Sequence, residues 1–261
     1  GYFSKLSEIY RKIVIEKLVN AEHLWTIYCD STAYPYVLDG DIVVLYDFTN
    51  HDKVGEQLAK YGFNVSFGIE DRESIFYEIG HMYRNGLKNI RFTDGRDNML
   101  IVPREEIATY DKFFKDDYVT NPGLQSALIA FFQEFRKPEG KDKSVVLATK
   151  ESELRVALRN ADYMVPCTKE ETEDSVSIAH PYVDITDKVQ HKDGEQVLAL
   201  PVFTDGFELD KCYTDKHENM LYTYMELLKS VQEIGASGIV INPLGVSYYV
   251  PVDIMKSIIT D

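Results

Sequence analysis

Cys212 and His217 lie five residues apart, near Asp205, Asp210 and Asp215. A thiol, an imidazole and a carboxylate are the parts of a nucleophile with its base and orienter. Such a constellation is defined by geometry, and a polar loop holding a partly buried, inert cysteine accounts for the same residues. No catalytic residue is therefore assigned. Asp94, Arg96, Asp97, Asn98 and Glu105 imitate a calcium loop, since Glu105 is twelfth counting from Asp94. Arg96 stands at a ligand position and Met99 where the sharp turn needs glycine, so calcium is not expected. His180, His191 and His217 are 11 and 26 residues apart, without the three- or four-residue step that puts two imidazoles on one helix face. No zinc site follows. Neither a glycine-rich phosphate loop nor a Gly-x-Ser-x-Gly elbow occurs, and no cofactor is expected.

Turn chemistry remains. Phe203, Thr204 and Asp205 end an apolar run, and Asn242 and Pro243 stand between two others. Thr204 or Asp205 can cap a helix and Asn242 can close a turn through its side chain. Alternatively, these five line a small cleft where a ligand meets a few convergent polar groups, and they are the candidate binding residues. The 18 tyrosines add a candidate interaction surface, with Tyr34, Tyr36, Tyr248 and Tyr249 expected to be exposed.

Elements that would position these groups follow from periodicity. Phe3, Leu6, Ile9, Ile13 and Val14 form a helical stripe over 3–19, followed by a strand at 24–29. Ile42 to Tyr46 is an uninterrupted apolar run short enough for a strand covered on both faces. Helix 51–61, strand 63–69 and helix 72–85 follow, the last ended by Gly86. Strands 89–92 and 98–102 flank an Asp94-Gly95 hairpin signal. Asn121-Pro122 starts a helix over 123–136, and the boundary between two halves is placed there, giving domains 1–116 and 121–261. Then come a short strand at 144–148, helix 151–160, strand 161–166, and an acidic loop around Glu170, Glu171, Glu173 and Asp174. Irregular strands run through His180 and Val183. Strand 196–203 has Pro201 near its end, which suggests a bulge or edge. Helix 221–234 carries Leu221, Tyr224, Leu228, Val231 and Ile234, and strands 237–241 and 246–250 close the chain. The fold class is α/β, of the α+β kind, with mixed sheets flanked by helices.

The 261 residues suffice for two compact domains. A 44% apolar, 27% charged composition is that of a folded globular chain, and no segment approaches the roughly 20 apolar residues of a membrane helix. The net charge of −15 is shared, with 14 basic and 20 acidic residues in 1–120 and 14 and 23 in 121–261. Neither half can displace phosphate counterions well, so no nucleic-acid partner is expected. Three scattered cysteines build no disulfide framework and fit a reducing cytoplasm. Gly1-Tyr2-Phe3 lacks an initiating methionine, so a cleavage scar is expected, and a removed leader stays open.

The two halves share an order of pieces. Val43 to Asn50 aligns with Leu198 to Asp205, keeping Phe-Thr before a helix-capping residue. Gly86 to Ile107 aligns with Gly235 to Ile254, and Asn20-Ala21 mirrors Asn160-Ala161. A tandem duplication of a helix, strand, helix, hairpin unit is the expectation. In the second half, Leu200-Pro201-Val202-Phe203-Thr204-Asp205, Gly238 to Gly245 and Asn160 to Pro166 together resemble the SseB family of bacterial proteins, in its N-terminal domain, over about 121–261. The first half looks like a diverged copy. The resemblance implies a small α/β domain and assigns no reaction. It links by name to serine sensitivity and type III secretion, and no secretion role is drawn from the label. A non-enzymatic binding or protein-interaction module is the leading expectation, with an unknown protein or small molecule as partner. A hydrolase or transferase assembled from distant residues is the alternative, and a part of a secretion or envelope assembly a further one.

Overall fold

A computed structural model describes residues 2–140, 142–171, 176–192, 194–214 and 218–260. The chain divides into two compact units, Gly1–Asp116 with Ile129–Leu147, and Asp117–Leu128 with Ala148–Asp261. Among the described residues no helix is long and apolar enough to cross a membrane.

In the first unit, α1 (Tyr2–Val19) leads into β1 (Leu24–Cys29), β2 (Tyr34–Pro35), β3 (Val37–Leu38) and β4 (Asp41–Leu45). Next come α2 (His51–Lys60), β5 (Val65–Glu70), α3 (Arg72–Arg84), β6 (Asn89–Thr93) and β7 (Met99–Pro103). The sheet order is β2-β1-β4-β6-β7, with β5 paired to β1 and β3 to β4. Strand β4 is central, antiparallel to β1 and parallel to β6, and every residue of it is buried. Strand residues alternate faces, which explains why so short a run is wholly apolar after Asp41. Ile42 and Val44 pack under Ile15 of α1 and Ile75, Ile79 and Met82 of α3, whereas Val43 and Leu45 meet Ile27, Phe63 and, from α2, Val54 and Leu58. Asp71 starts α3 with a capping box shared with Ser74. Gly86, at φ +71°, ends it in the left-handed conformation expected of a C-terminal cap.

Helix α4 (Pro122–Phe135) divides between the units, its first residues belonging to the second. Helix α5 (Lys143–Arg159) divides likewise and occupies the expected strand at 144–148, which is a correction. The Val145-Val146 pair suggested a strand, yet Val145 is 69% exposed. A stripe of Leu147, Leu154 and Leu158 at seven- and four-residue steps runs through the whole helix, and it outweighs the few tenths of a kcal/mol that each valine costs.

The second unit continues with β8 (Asp162–Glu171), β9 (Val176–Ala179), β10 (Val183–Asp184), β11 (Leu198–Val202), α6 (Gly206–Cys212) and β12 (Glu218–Thr223). It ends with α7 (Tyr224–Glu233), β13 (Gly238–Ile241), β14 (Tyr248–Pro251) and α8 (Val252–Thr260). Strands run β10-β11-β13-β14 and β12-β8-β9, linked by an antiparallel bridge between Met164 and Phe203. Strand β11 is parallel to β13 and antiparallel to β10. Leu198 and Val202 accept from Ser237 and Asn242, so even-numbered residues of β11 bond towards the β13 side. Odd-numbered ones face β10 at Ala199 and Met164 at Phe203. Pro201 falls between those two partners, where its missing N–H interrupts no ladder bond.

Two further expectations change. Glu170 and Glu171 belong to β8, paired with Ser177 and Val176 of β9, so the loop begins later than read. The loop's Glu173 and Asp174 lie outside the described residues. The helix expected at 221–234 begins at Tyr224, because 218–223 is a strand paired along β8 and Leu221 is 50% exposed. Thr223 and Glu226 form the capping box that sets the boundary.

Candidate functional site

Five residues expected to form a site are in the second unit, and four of them are sealed inside it. Phe203, Thr204, Asp205 and Asn242 are each fully buried, and only Pro243 reaches partly to the surface. The local reason is the crossover: β11 and β13 are parallel, so their C-terminal ends come together and the residues after them meet. Asp205 has extended backbone and caps α6, its Oδ1 accepting from the Glu208 amide at 3.0 Å. Its Oδ2 is 3.1 Å from the Thr204 hydroxyl. Asn242 takes a left-handed φ of +48° at the end of β13. This turns its carboxamide back to β11, where Oδ1 accepts from the Thr204 amide at 3.1 Å. Asn242 Nδ2 lies 3.0 Å from both the Thr204 hydroxyl and Gln125 Oε1.

The sequence reading missed three members of this cluster. Gln125 of α4 accepts from Asn242 and donates to Glu208 Oε1 at 3.4 Å. Glu208, whose side chain is wholly buried, is paired with Lys211 Nζ at 2.9 Å. Asn121, just before α4, donates to the Thr204 carbonyl at 2.6 Å and the Asp162 carbonyl at 2.7 Å, and accepts from the Asp162 amide at 3.1 Å. Gln125 lies 117 residues from Asn242 and 79 from Thr204, so no local signal could have found it. The buried polar atoms are answered within the cluster, the condition under which such a network specifies one arrangement of its elements.

Cys212 ends α6 half-buried, and burial raises its thiol above the usual range despite a backbone hydrogen bond from Leu244 that lowers it. The nucleophilic thiolate is thereby disfavoured. Asp210 is exposed, and Asp215 and His217 lie outside the described residues. In the hairpin after β6, Asp94 accepts from the Arg96 amide and the Asn98 carboxamide, closing the loop on itself. His180 contacts the Pro166 carbonyl at 2.9 Å and the Tyr222 hydroxyl at 3.1 Å. Among the described residues no three His, Cys, Asp or Glu side chains are placed to hold a metal.

Of the four tyrosines expected on the surface, Tyr34 and Tyr36 are buried at 5% and 7% exposure, which corrects that expectation. Tyr34 belongs to β2, paired with Cys29 of β1, and Tyr36 follows it with its amide on the Ile27 carbonyl and its ring edge-on to Phe63. Tyr248 and Tyr249 are half-buried, and Tyr249 donates to the Ser237 carbonyl at 3.2 Å. Burial raises the Tyr248 hydroxyl, with Glu151 adding to the rise and Arg155 opposing it.

Those two charges belong to an open feature of the same unit. A cavity of about 330 Å³ is lined by Glu151, Ser152, Arg155, Val156 and Arg159 of α5 and by Ile258 of α8. Arg155 donates to Ser257 Oγ at 3.0 Å, and that hydroxyl donates onward to the Ile254 carbonyl at 2.8 Å.

A second cluster of titratable groups lies in the first unit. Tyr28 Oη is 3.2 Å from Glu70 Oε1 and 3.4 Å from Glu78 Oε2, and both carboxyls are buried. Gly68 lets the ring cross β5, since a Cβ there would stand 2.6 Å from the Tyr28 ring. Burial first, and Glu70 second, push Glu78 up to about 7, with Tyr28 and Arg84 opposing the rise.

Residues 145–254 match the family described as SseB protein N-terminal domain. No curated protein and no solved structure matches the chain.

Proposed function

We propose that this protein is a non-enzymatic binding module made of two copies of one unit, the second SseB-like and the first its diverged counterpart. The observation that carries the binding reading is the state of the polar residues in the matched segment. Thr204, Asp205 and Asn242 of that segment, with Gln125 of α4 from outside it, hydrogen-bond one another in a buried network that Glu208 joins, while an open groove with charged walls lies along α5. Catalysis needs a group held ready for the substrate, whereas a sealed network holds elements in place.

Duplication is supported by connectivity. Strands β1, β4, β5, β6 and β7 pair as β8, β11, β12, β13 and β14 do, with one parallel pair in each set. Gly86 and Gly235 both end a helix at φ near +70°. Taking them as equivalent pairs Ile90 with Ile239, and the strand registers then pair Ile42 with Leu200. Asp47, which caps the turn after β4, thereby becomes the counterpart of Asp205, three residues earlier than the Phe-Thr alignment suggested.

A protein partner has one observation in its favour: Ile9, Tyr10, Ile13 and Val14 of α1 are between 42% and 61% exposed. The test of the binding reading is a thermal-shift screen of the purified chain against amino acids, nucleotides and other metabolites at millimolar concentration, with cell-extract fractions alongside. Ligand at about ten times its Kd stabilises the native state by about 1.4 kcal/mol, a rise of roughly 3–5 °C for a chain of this size. Turnover of a defined substrate that requires Asp205 or Cys212 would overturn it.

A further inference from the structure

We infer that the groove between α5 and α8 binds a small molecule carrying an oxyanion at one end and a cationic or hydrogen-bond-donor group at the other. The inference rests on the binding-module reading and gives it a place and a ligand chemistry. Glu151, Arg155 and Arg159 follow at four-residue steps on α5, so they stand in one row with a rise of about 6 Å per step. The row offers one carboxylate and two guanidinium groups to a single cavity. A guanidinium presents parallel N–H donors that fit carboxylate and phosphate oxygens in pairs.

The two arginines differ in readiness. Arg155 is half-buried and already engaged, donating from Nη2 to Ser257 Oγ. Arg159 is exposed at the end of the helix, and its side chain makes no hydrogen bond or ion pair among the described residues. One engaged and one adjustable donor group suit capture of an oxyanion. The 330 Å³ volume is at the lower end of the roughly 300–1,000 Å³ usual for small-molecule sites, and the exposed Val156, with the buried Ile258 behind it, supplies an apolar wall for a short carbon chain. The net charge of −15 opposes the approach of a bare anion, whereas a ligand with a compensating cationic end meets less opposition and finds Glu151.

Arg159 also stands where a cation offsets the carbonyl end of α5, a role that affects stability alone. The experiment separates the two. The full chain is tested by thermal shift with straight-chain ω-amino acids of two to six carbons, the matching monocarboxylates and amines, and inorganic phosphate, each at 10 mM. At the chain length that spans the row, an ω-amino acid raises the melting temperature by about 2–5 °C, more than either single-headed probe. Arg159→Gln removes most of that rise, and Arg159→Lys, which keeps the charge at the helix end, also weakens it. Glu151→Gln removes the preference over the monocarboxylate. If the rise persists in Arg159→Gln, the groove is not the site although the binding reading stands. If none of these probes moves the wild-type chain, the ligand chemistry is wrong, while the metabolite and extract screen still judges the binding reading.

Discussion

Glu78 faces Glu70 from β5, Tyr28 from β1 and Arg84 from its own helix, with both carboxyls buried and Tyr28 half-buried. A phenol has one hydrogen to give, so two ionised carboxylates converging on it leave one of them unanswered, and a proton on Glu78 supplies the missing donor. Its carboxyl is raised from 4.5 to about 7, so the folded state binds a proton more tightly than the unfolded chain. The stabilisation is therefore complete below about pH 4.5 and is lost as pH rises through about 7, a change on the order of 3 kcal/mol. Glu78→Gln, which mimics the protonated acid, is expected to make the protein more stable than wild type at pH 8 and nearly equal to it at pH 5. Urea denaturation followed by fluorescence of Trp25, the single tryptophan and on the same strand as Tyr28, measures this. Equal sensitivity of the two proteins to pH would contradict it.

Among elements, helix ends obey local chemistry and helix interiors obey burial. Thr223 accepts from the Glu226 amide, while Glu226 Oε2 accepts from the Thr223 amide and hydroxyl at 2.9 and 2.7 Å. Thr223→Ala is expected to cost about 1 kcal/mol, and Thr223→Ser to cost much less, as read from chemical denaturation midpoints. Equal losses would assign the effect to the threonine methyl group. The Thr-x-x-Glu signature was legible in the sequence, but Leu221 lay in register with the helical stripe and drew the boundary three residues early. Strand β4 is legible because its apolar run is too short for a helix and fits a strand buried on both faces. Helix α5 is less legible, because in a short window the Val145-Val146 pair suggests a strand, whereas the leucine stripe emerges only across the full length. The buried network was half legible: Thr204, Asp205 and Asn242 stand out as turn and cap residues. Gln125 and Asn121 look like ordinary helix-start residues until the fold brings them to β11.

At the scale of the whole molecule, each unit uses one parallel strand pair to bring two loop ends together, and in the second unit those ends are locked by side chains. This lock is structural, and in the proposed reading ligand recognition lies elsewhere on the same unit. Asn242→Ala removes donors and an acceptor from Thr204 and Gln125 and leaves them buried, at a cost of about 2–3 kcal/mol. The most direct measurement compares Asn242→Ala and Arg159→Gln with wild type for basal melting temperature and for the rise produced by a stabilising ω-amino acid. The expected result is a basal temperature lowered by several degrees in Asn242→Ala with the ligand-induced rise retained, and the reverse in Arg159→Gln. An Asn242→Ala protein that melts like wild type but no longer responds to the ligand would contradict the account.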